Sequence, residues 1–285
     1  MMSSLTSAVS GLDNFQEQMD VIGNNIANVD TTGFKAGVVD FADAFSNTLQ
    51  APTAGSSSTS AGSNPIQTGT GVTITGINSN WNQGSLSTTG IPSDLAISGN
   101  GFFMVQNPAT QAQYATQAGD FTLNSSGYLV TDTGEEVMGY NNSGLSTIGP
   151  IQINASQAPA TSSPTATMSS YSIGATGQIT VNLSDGTTAS SGQVMLQNFG
   201  NPQALTSVGN NLYSNMANAG PLAATLTAPG SNGLGTIQSG ALELSNVDLS
   251  SQMANLIIAQ RGFEANSKII TTSDELLQDV VNMKR

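Results

Sequence analysis

The chain has 285 residues, with five Lys or Arg, eighteen Asp or Glu, no His and no Cys, and a formal charge of −13. Those counts exclude disulfides, thiolate nucleophiles, His-dependent triads and zinc sites built from Cys or His. The acidic balance opposes nucleic-acid binding, which needs Lys and Arg against phosphate, and the length accommodates one or two domains with a real core.

The N-terminus carries a helical pattern. Leu5, Leu12, Met19 and Ile26 recur every seven residues, and Ala8, Phe15, Ile22 and Val29 form a second series three residues behind. This is a heptad over about 25 residues, roughly 37 Å of helix. It stops at Asp30-Thr31-Thr32-Gly33, where Gly suits a helix exit. Residues 35–71 read as a linker or connecting arm, with Phe41 and Phe45 on a short helix or extended piece and a low-complexity run at 55–63.

From Val72 to Leu244 the signals are strands and turns. Lys35 is followed by no Lys or Arg until Arg261, and the stretch between is rich in Gly, Ser, Thr, Asn and Gln, which suits turn-rich β-structure. An uncharged surface of this kind offers little resistance to the packing of copies. Strands are expected at 72–77, 95–97, 102–105, 121–123, 128–130 and 151–153. Gln178–Leu183 alternates cleanly, and Asp185-Gly186 turns it into a hairpin whose return strand is placed at 194–196. Asn141–Gly144 reads as a turn, and 155–167, with Pro159 and Pro164, as a loop.

At the C-terminus Leu249, Leu256, Phe263, Ile270 and Leu277 repeat every seven residues, and Met253, Ile257, Ile269, Leu276 and Val280 widen the stripe. A helix of about 35 residues, roughly 52 Å, is expected. Ser245-x-x-Asp248 reads as its capping box, and Glu264 with Lys268 as an i,i+4 pair. No segment is long and apolar enough for a bilayer span, and the start lacks the basic and apolar regions of a secretory leader.

No chemistry stands out. Gly99-x-Gly101-Phe102-Phe103 lacks the third Gly, the helix and the Lys of a phosphate loop, and reads as a tight turn entering a strand. Asp132, Glu135 and Glu136 lack the alternation of a calcium loop and read as a solvated hairpin turn. Asp94 and Asp120 give no basis for acid–base work. Trp81 reads as core or interface. The expectation is a non-enzymatic protein with no catalytic, cofactor or metal residues.

Five ordered stretches carry a family resemblance. They are Ser10–Leu12 with Met19–Lys35 (MDVIGNNIANVDTTGFK), Asp94–Phe103 (DLAISGNGFF), Val208–Tyr213 (VGNNLY), Gly240–Leu249 (GALELSNVDL) and Ala259–Lys268 (AQRGFEANSK) with Thr271–Glu275. Together they resemble the bacterial flagellar hook and basal-body rod axial proteins. Ala259-Gln260-Arg261-Gly262 and the ending Asn282–Arg285 are hook-like, whereas the Ala51–Gly71 insertion resembles the longer linker of distal-rod members.

The resemblance implies an α+β fold. Long N- and C-terminal helices (1–34 with 245–285) would pair into a coiled-coil-like inner domain. An all-β outer domain (72–244) would be inserted between them, with 141–191, too short for a full extra outer domain, as a small remnant of one. It implies a structural subunit that polymerises into the hook tube and transmits torque, the distal rod being the alternative. An adhesin or binding module that does not polymerise is the reading from a different class. The implied assembly interface is Leu5, Leu12, Phe15, Met19, Ile22, Asn24, Asn25, Ile26, Asn28, Phe34, Leu249, Met253, Leu256, Phe263, Ile270 and Leu277. The implied partners are further copies, the neighbouring rod, hook-cap and hook–filament junction proteins, and the flagellar type III export apparatus, with no nucleic acid and no membrane insertion. The implied place is the basal body and hook outside the cytoplasm, reached without a cleaved signal peptide.

Overall fold

The computed structural model describes residues 2–52, 62–142, 147–154, 167–221 and 226–283. Contacts divide the chain into two compact units: Met1–Ala27, Gly37–Asn80 and Val247–Arg285 form the first, and Asn28–Ala36 with Trp81–Asn246 the second. The grouping cuts the chain at other points than the expected domain limits. Residues 28–36 hydrogen-bond into the β-structure, and 37–80 pair as strands beside the helices.

In the first unit, helices span Met2–Ala27 and Leu249–Met283, close to the heptad limits. They pack antiparallel. Asn25 meets Gln252 at 3.3 Å, the Phe15 ring sits over Gly262, and Gly11 faces the Asn266 side chain. Ala8, Gly11, Ala259 and Ser273 are buried in the same seam. Small residues let the two backbones approach, so one aromatic ring lies on a glycine instead of between two bulky side chains. The Ala8–Phe15–Ile22 series therefore lies nearer the seam than the Leu5–Leu12–Met19–Ile26 series, which is half-buried. At this register the C-terminal helix runs past the start of its partner near Glu275. Leu276, Leu277, Val280, Val281 and Met283 lie beyond and are exposed.

Two expected details of the C-terminal helix differ. Asp248 itself is the cap, its Oδ1 accepting from Ser250 N at 2.9 Å and Ser251 N at 3.4 Å, so Ser245 does not head a capping box. Glu264 pairs one turn back with Arg261, at 2.7 Å, instead of forward with Lys268, because the guanidinium fork reaches it at i,i+3.

The arm expected as linker is a β-ribbon. Gly37–Asp43 pairs antiparallel with Val72–Ser79, with a register shift at Asp40/Phe41, and Ser46–Gln50 pairs with Ile66–Gly69. Phe41 is thus on a strand, and Phe45 lies just past it, 90% exposed. The run at 55–63 falls almost wholly outside the described residues. Asn25 anchors the ribbon: its carboxamide donates to Gly37 O and accepts from Gly37 N, both at 2.8 Å. Asn14 does the same at the far end, donating to Val72 O at 2.9 Å.

The second unit is built on one antiparallel sheet. Its order is Met168–Ile173, Gln178–Leu183, Thr188–Val194, Glu136–Tyr140, Phe102–Gln106, Gln113–Thr116, Leu212–Ser214 and Thr206–Gly209, with short strands attached at 122–123, 129–130, 148–150 and 196–197. Phe102–Gln106 explains its own unbroken apolar run. Phe103 and Val105 face a large core with Leu95, Phe121, Leu129, Ile151, Ile179 and Leu196, while Phe102 and Met104 face a second cluster with Met138, Phe199 and Tyr213. A strand buried on both faces needs no polar alternation. The edge contact of Phe103 with Phe121, centroids 5.1 Å apart, holds the larger core.

The hairpin at Asp185-Gly186 forms, but its return strand begins at Thr188, six residues earlier than expected. The run Thr188–Gln193 is polar yet mostly buried, and Ser191 is satisfied by Gln152 O at 2.9 Å. Ile151–Ile153 is buried as expected but irregular. Its backbone groups go singly to Val137 O, Leu129 N and Gly127 O, and Gln152 makes one isolated bridge to Tyr128. The strands between 148 and 194 belong to the main sheet. Residues 143–146 and 155–166, including most of the expected loop, lie outside the described residues.

One glycine marks a contact that tolerates no side chain. A Cβ on Gly119 would lie 1.7 Å from the Leu95 carbonyl oxygen, where Leu95 N already donates to Gly119 O at 2.9 Å. Gly119→Ala is expected to cost at least about 3 kcal/mol, roughly 6–12 °C of melting temperature, because backbone must move. Thermal unfolding followed by circular dichroism checks this; an unchanged melting temperature would contradict the packing.

Candidate assembly site and its clamp

Within the second unit, three distant segments are sewn together around one ion pair. Lys35 Nζ donates to Glu243 Oε1 at 2.7 Å, with side chains only 2% and 4% exposed, and also to Asn82 O at 3.1 Å. Glu243 Oε1 further accepts from Gly84 N at 2.8 Å, and its carbonyl accepts from Gly33 N at 2.8 Å. Asn246 adds a second stitch: its Oδ1 accepts from Ala36 N at 2.8 Å and its Nδ2 donates to Asn82 O at 2.9 Å. Segments 33–36, 82–85 and 243–246 are thereby locked side by side. A Cβ on Gly84 would meet Leu244 O at 2.1 Å, so the approach there requires glycine.

Lys35 is the only Lys or Arg in 28–36 and 81–246. The β-unit therefore uses its single cation internally. Desolvating two charges is costly, and the pair stands because each partner is also hydrogen-bonded to backbone. The adjoining turn is held the same way. Thr31 Oγ1 donates to Asn28 Oδ1 at 3.1 Å, Thr32 Oγ1 to Asp120 Oδ2 at 3.2 Å, and Asn211 Nδ2 to Thr32 O at 2.7 Å.

The interface residues inferred from the sequence are distributed unevenly. Ile22 and Asn25 are buried inside the first unit. Leu5, Leu12, Phe15, Met19, Ile26, Leu256, Phe263 and Ile270 are half-buried there; Asn24, Leu249, Met253 and Leu277 are exposed. Asn28 and Phe34 belong to the second unit and are half-buried. Heptad counting missed Ile258 and Val281, exposed by 65% and 67%, more than any apolar residue it selected. Each sits directly after a residue of the widened stripe, so a broader arc would have found them. Lys35 and Glu243 were missed as well. A lone Lys in a basic-free region was the available signal, but its partner lies 208 positions away.

The acidic turn also departs from expectation. Glu135 is only 8% exposed. Burial raises its pKa, but the hydroxyls of Thr131 and Thr133, both donating to its carboxylate, outweigh that and hold it below the ordinary 4.5. Asp94 and Asp120 face each other in an isolated antiparallel bridge, each occupied by a threonine hydroxyl, from Thr89 and Thr32. Gly99 and Gly101, both at positive φ, turn the chain into Phe102–Gln106 as expected. Trp81 packs edge-on against Phe102 and Tyr213, centroids 5.2 and 5.0 Å away.

Comparison with known proteins gives three family matches along the chain. Residues 5–35 match the flagella basal body rod protein family, 96–181 the flagellar hook protein FlgE/F/G D1 domain, and 238–283 the flagellar basal body rod FlgEFG protein C-terminal family. The chain is similar to the flagellar basal-body rod protein FlgG of Bacillus subtilis (strain 168), at 41% identity over 285 residues covering 100% of both chains. It is also similar to the flagellar hook protein FlgE of Borreliella burgdorferi, at 26% over 446 aligned positions and 100% of both. The crystal structure of Helicobacter pylori flagellar hook protein FlgE2 overlaps 55% of this chain and all of that one, with 10% identity and a TM-score of 0.42.

Breaking the clamp from one side leaves a buried charge. Lys35→Met and Glu243→Leu are each expected to destabilise the β-unit by about 3–5 kcal/mol, whereas the double variant recovers most of the loss. Urea unfolding of the four proteins checks this. Additive losses in the double variant would contradict the coupling.

Proposed function

The chain belongs to the flagellar hook and basal-body rod family, and on that premise we propose that it is a distal-rod subunit, polymerising into a helical tube through its terminal helices. The observation that carries the rod reading is the end-to-end match. The rod relative aligns over 285 positions and covers both chains completely, whereas alignment to the hook relative spreads over 446. Rod-named relatives from other bacteria match nearly end to end as well, such as that of Caulobacter vibrioides, 36% identical over 97% of both chains. The hook is the second reading, favoured by Ala259-Gln260-Arg261-Gly262 and the ending Asn282–Arg285.

The physics of assembly follows from the first unit. Ile257, Ile258, Leu276, Val280 and Val281 expose large apolar side chains along one long helix. Exposed surface of that extent calls for partners. A contact between different faces of identical copies builds an open helical assembly when its rotation does not close into a ring, and the proposed tube is of that kind. The remaining residues of the inferred interface act in the same layer: Leu249, Met253 and Leu277 from the exposed stripe, and Asn24 from the exposed end of the N-terminal helix. The role is structural. Its partners are other copies and the adjoining axial proteins, and its route out of the cell is the flagellar export apparatus.

Electron microscopy of basal bodies from a strain lacking the gene tests the assignment. The rod reading predicts rods that stop short and carry no hook. Complete rods lacking only the hook would make this chain the hook subunit, and intact hook–basal bodies would overturn both.

A further inference from the structure

Asn25 is 1% exposed, and its carboxamide serves two segments that are far apart in the chain. Oδ1 accepts from Gly37 N at 2.8 Å, while Nδ2 donates to Gly37 O at 2.8 Å and to Gln252 Oε1 at 3.3 Å. Gly37 opens the first ribbon strand, and Gln252 lies near the start of the C-terminal helix. An Asn amide carries two N–H donors, enough for one bond to the ribbon and one to the helix. The paired bonds to Gly37 fix which end of the amide is oxygen.

The other end of the ribbon is held differently. Gly37 pairs with Ser79 and Asp43 with Val72, so the ribbon has a near end at Gly37 and a far end at Val72. At the far end Asn14 Nδ2 donates to Val72 O at 2.9 Å, and Ser10 Oγ accepts from Val72 N at 3.4 Å. Asn14 and Ser10 both lie on the N-terminal helix, so these bonds do not involve the C-terminal one.

Withdrawing one acceptor from a buried amide leaves an orphan donor, which costs more than the bond itself contributed. The Asn25 carboxamide escapes that cost by turning toward water, and in doing so it breaks both bonds to Gly37. Its bonds to the ribbon and to the helix therefore support each other.

We propose that Asn25 is a joint that keeps the near end of the ribbon closed only while the C-terminal helix is seated on the N-terminal one. Unseating the helix withdraws Gln252 and loosens Gly37–Val39 together with Ile77–Ser79, their partners across the ribbon. The far end stays on Asn14 and Ser10. The ribbon thereby opens from one end in response to the helix pair. The joint lies within the first unit and is the same for the rod and the hook reading.

Amide hydrogen exchange of the full-length chain, resolved to single residues, tests this with wild type, Gln252→Ala and Gln252→Glu. Alanine removes the acceptor, and glutamate keeps one at the same reach. The joint predicts near-end amides, at 37–39 and 77–79, that exchange faster by on the order of fivefold in Gln252→Ala. It predicts wild-type rates there in Gln252→Glu, and unchanged rates at Val72 and Asp43 in both variants. Equal near-end rates in wild type and Gln252→Ala overturn the joint. So does an acceleration shared by both ends, which is a general loss of stability, and so does a Gln252→Glu chain as fast as Gln252→Ala, because the acceptor then has no part in it. Near-end amides already unprotected in wild type overturn it too, since the carboxamide then holds nothing closed.

Discussion

The β-unit depends on one buried ion pair. Lys35 is its only cation, and the fold spends that charge on Glu243, 208 positions away, at 2.7 Å. The pair joins three segments that are also held by the Asn246 bonds and by the short pairing of Leu86–Thr88 with Ala241–Glu243. A lone buried charge would be unfavourable, so neither residue can sit there without the other. The pairing makes the positions of Gly33, Phe34 and Asn246 mutually dependent, and these lie in the segments where the chain passes from one compact unit to the other.

The first unit follows a different rule. Its helices meet through Ala8, Gly11, Ala259 and Gly262, which brings the backbones close and uses little of the apolar surface the sequence supplies. What remains is outward-facing: Ile257 and Ile258 along the C-terminal helix, and Leu276 to Met283 beyond the end of its partner. A protein acting as a monomer would be expected to cover such a stripe. On the proposed reading the next copy covers it. The two units thus differ: the second closes around a buried ion pair, and the first leaves large apolar side chains exposed along its C-terminal helix.

Much of this was legible in the sequence because it is periodic. Both long helices show in their heptads, and the strands around Val72, Leu95, Phe102 and Gln178 show in apolar runs or alternation. Long-range pairing was not legible. Nothing local marks Lys35 as the partner of Glu243, or Thr188–Gln193 as a strand, since its polar residues are satisfied only by distant groups such as Gln152 O. The ribbon strands before Val72 were obscured because they are mostly exposed and so lack the burial that writes a strand pattern. Heptad counting found the stripe but placed its centre too narrowly, omitting Ile258 and Val281 because the exposed arc is wider than a two-helix seam.

The central claim is that the exposed stripe of the C-terminal helix drives assembly and contributes nothing to the fold of the isolated chain. Sedimentation of purified wild-type and Ile258→Asp chains, paired with their thermal unfolding, tests it most directly. The account predicts equal melting temperatures for the monomers, and pelletable tubes from wild type alone. Tubes from Ile258→Asp at wild-type concentrations would contradict it, as would a variant whose loss of assembly is accompanied by loss of the folded monomer.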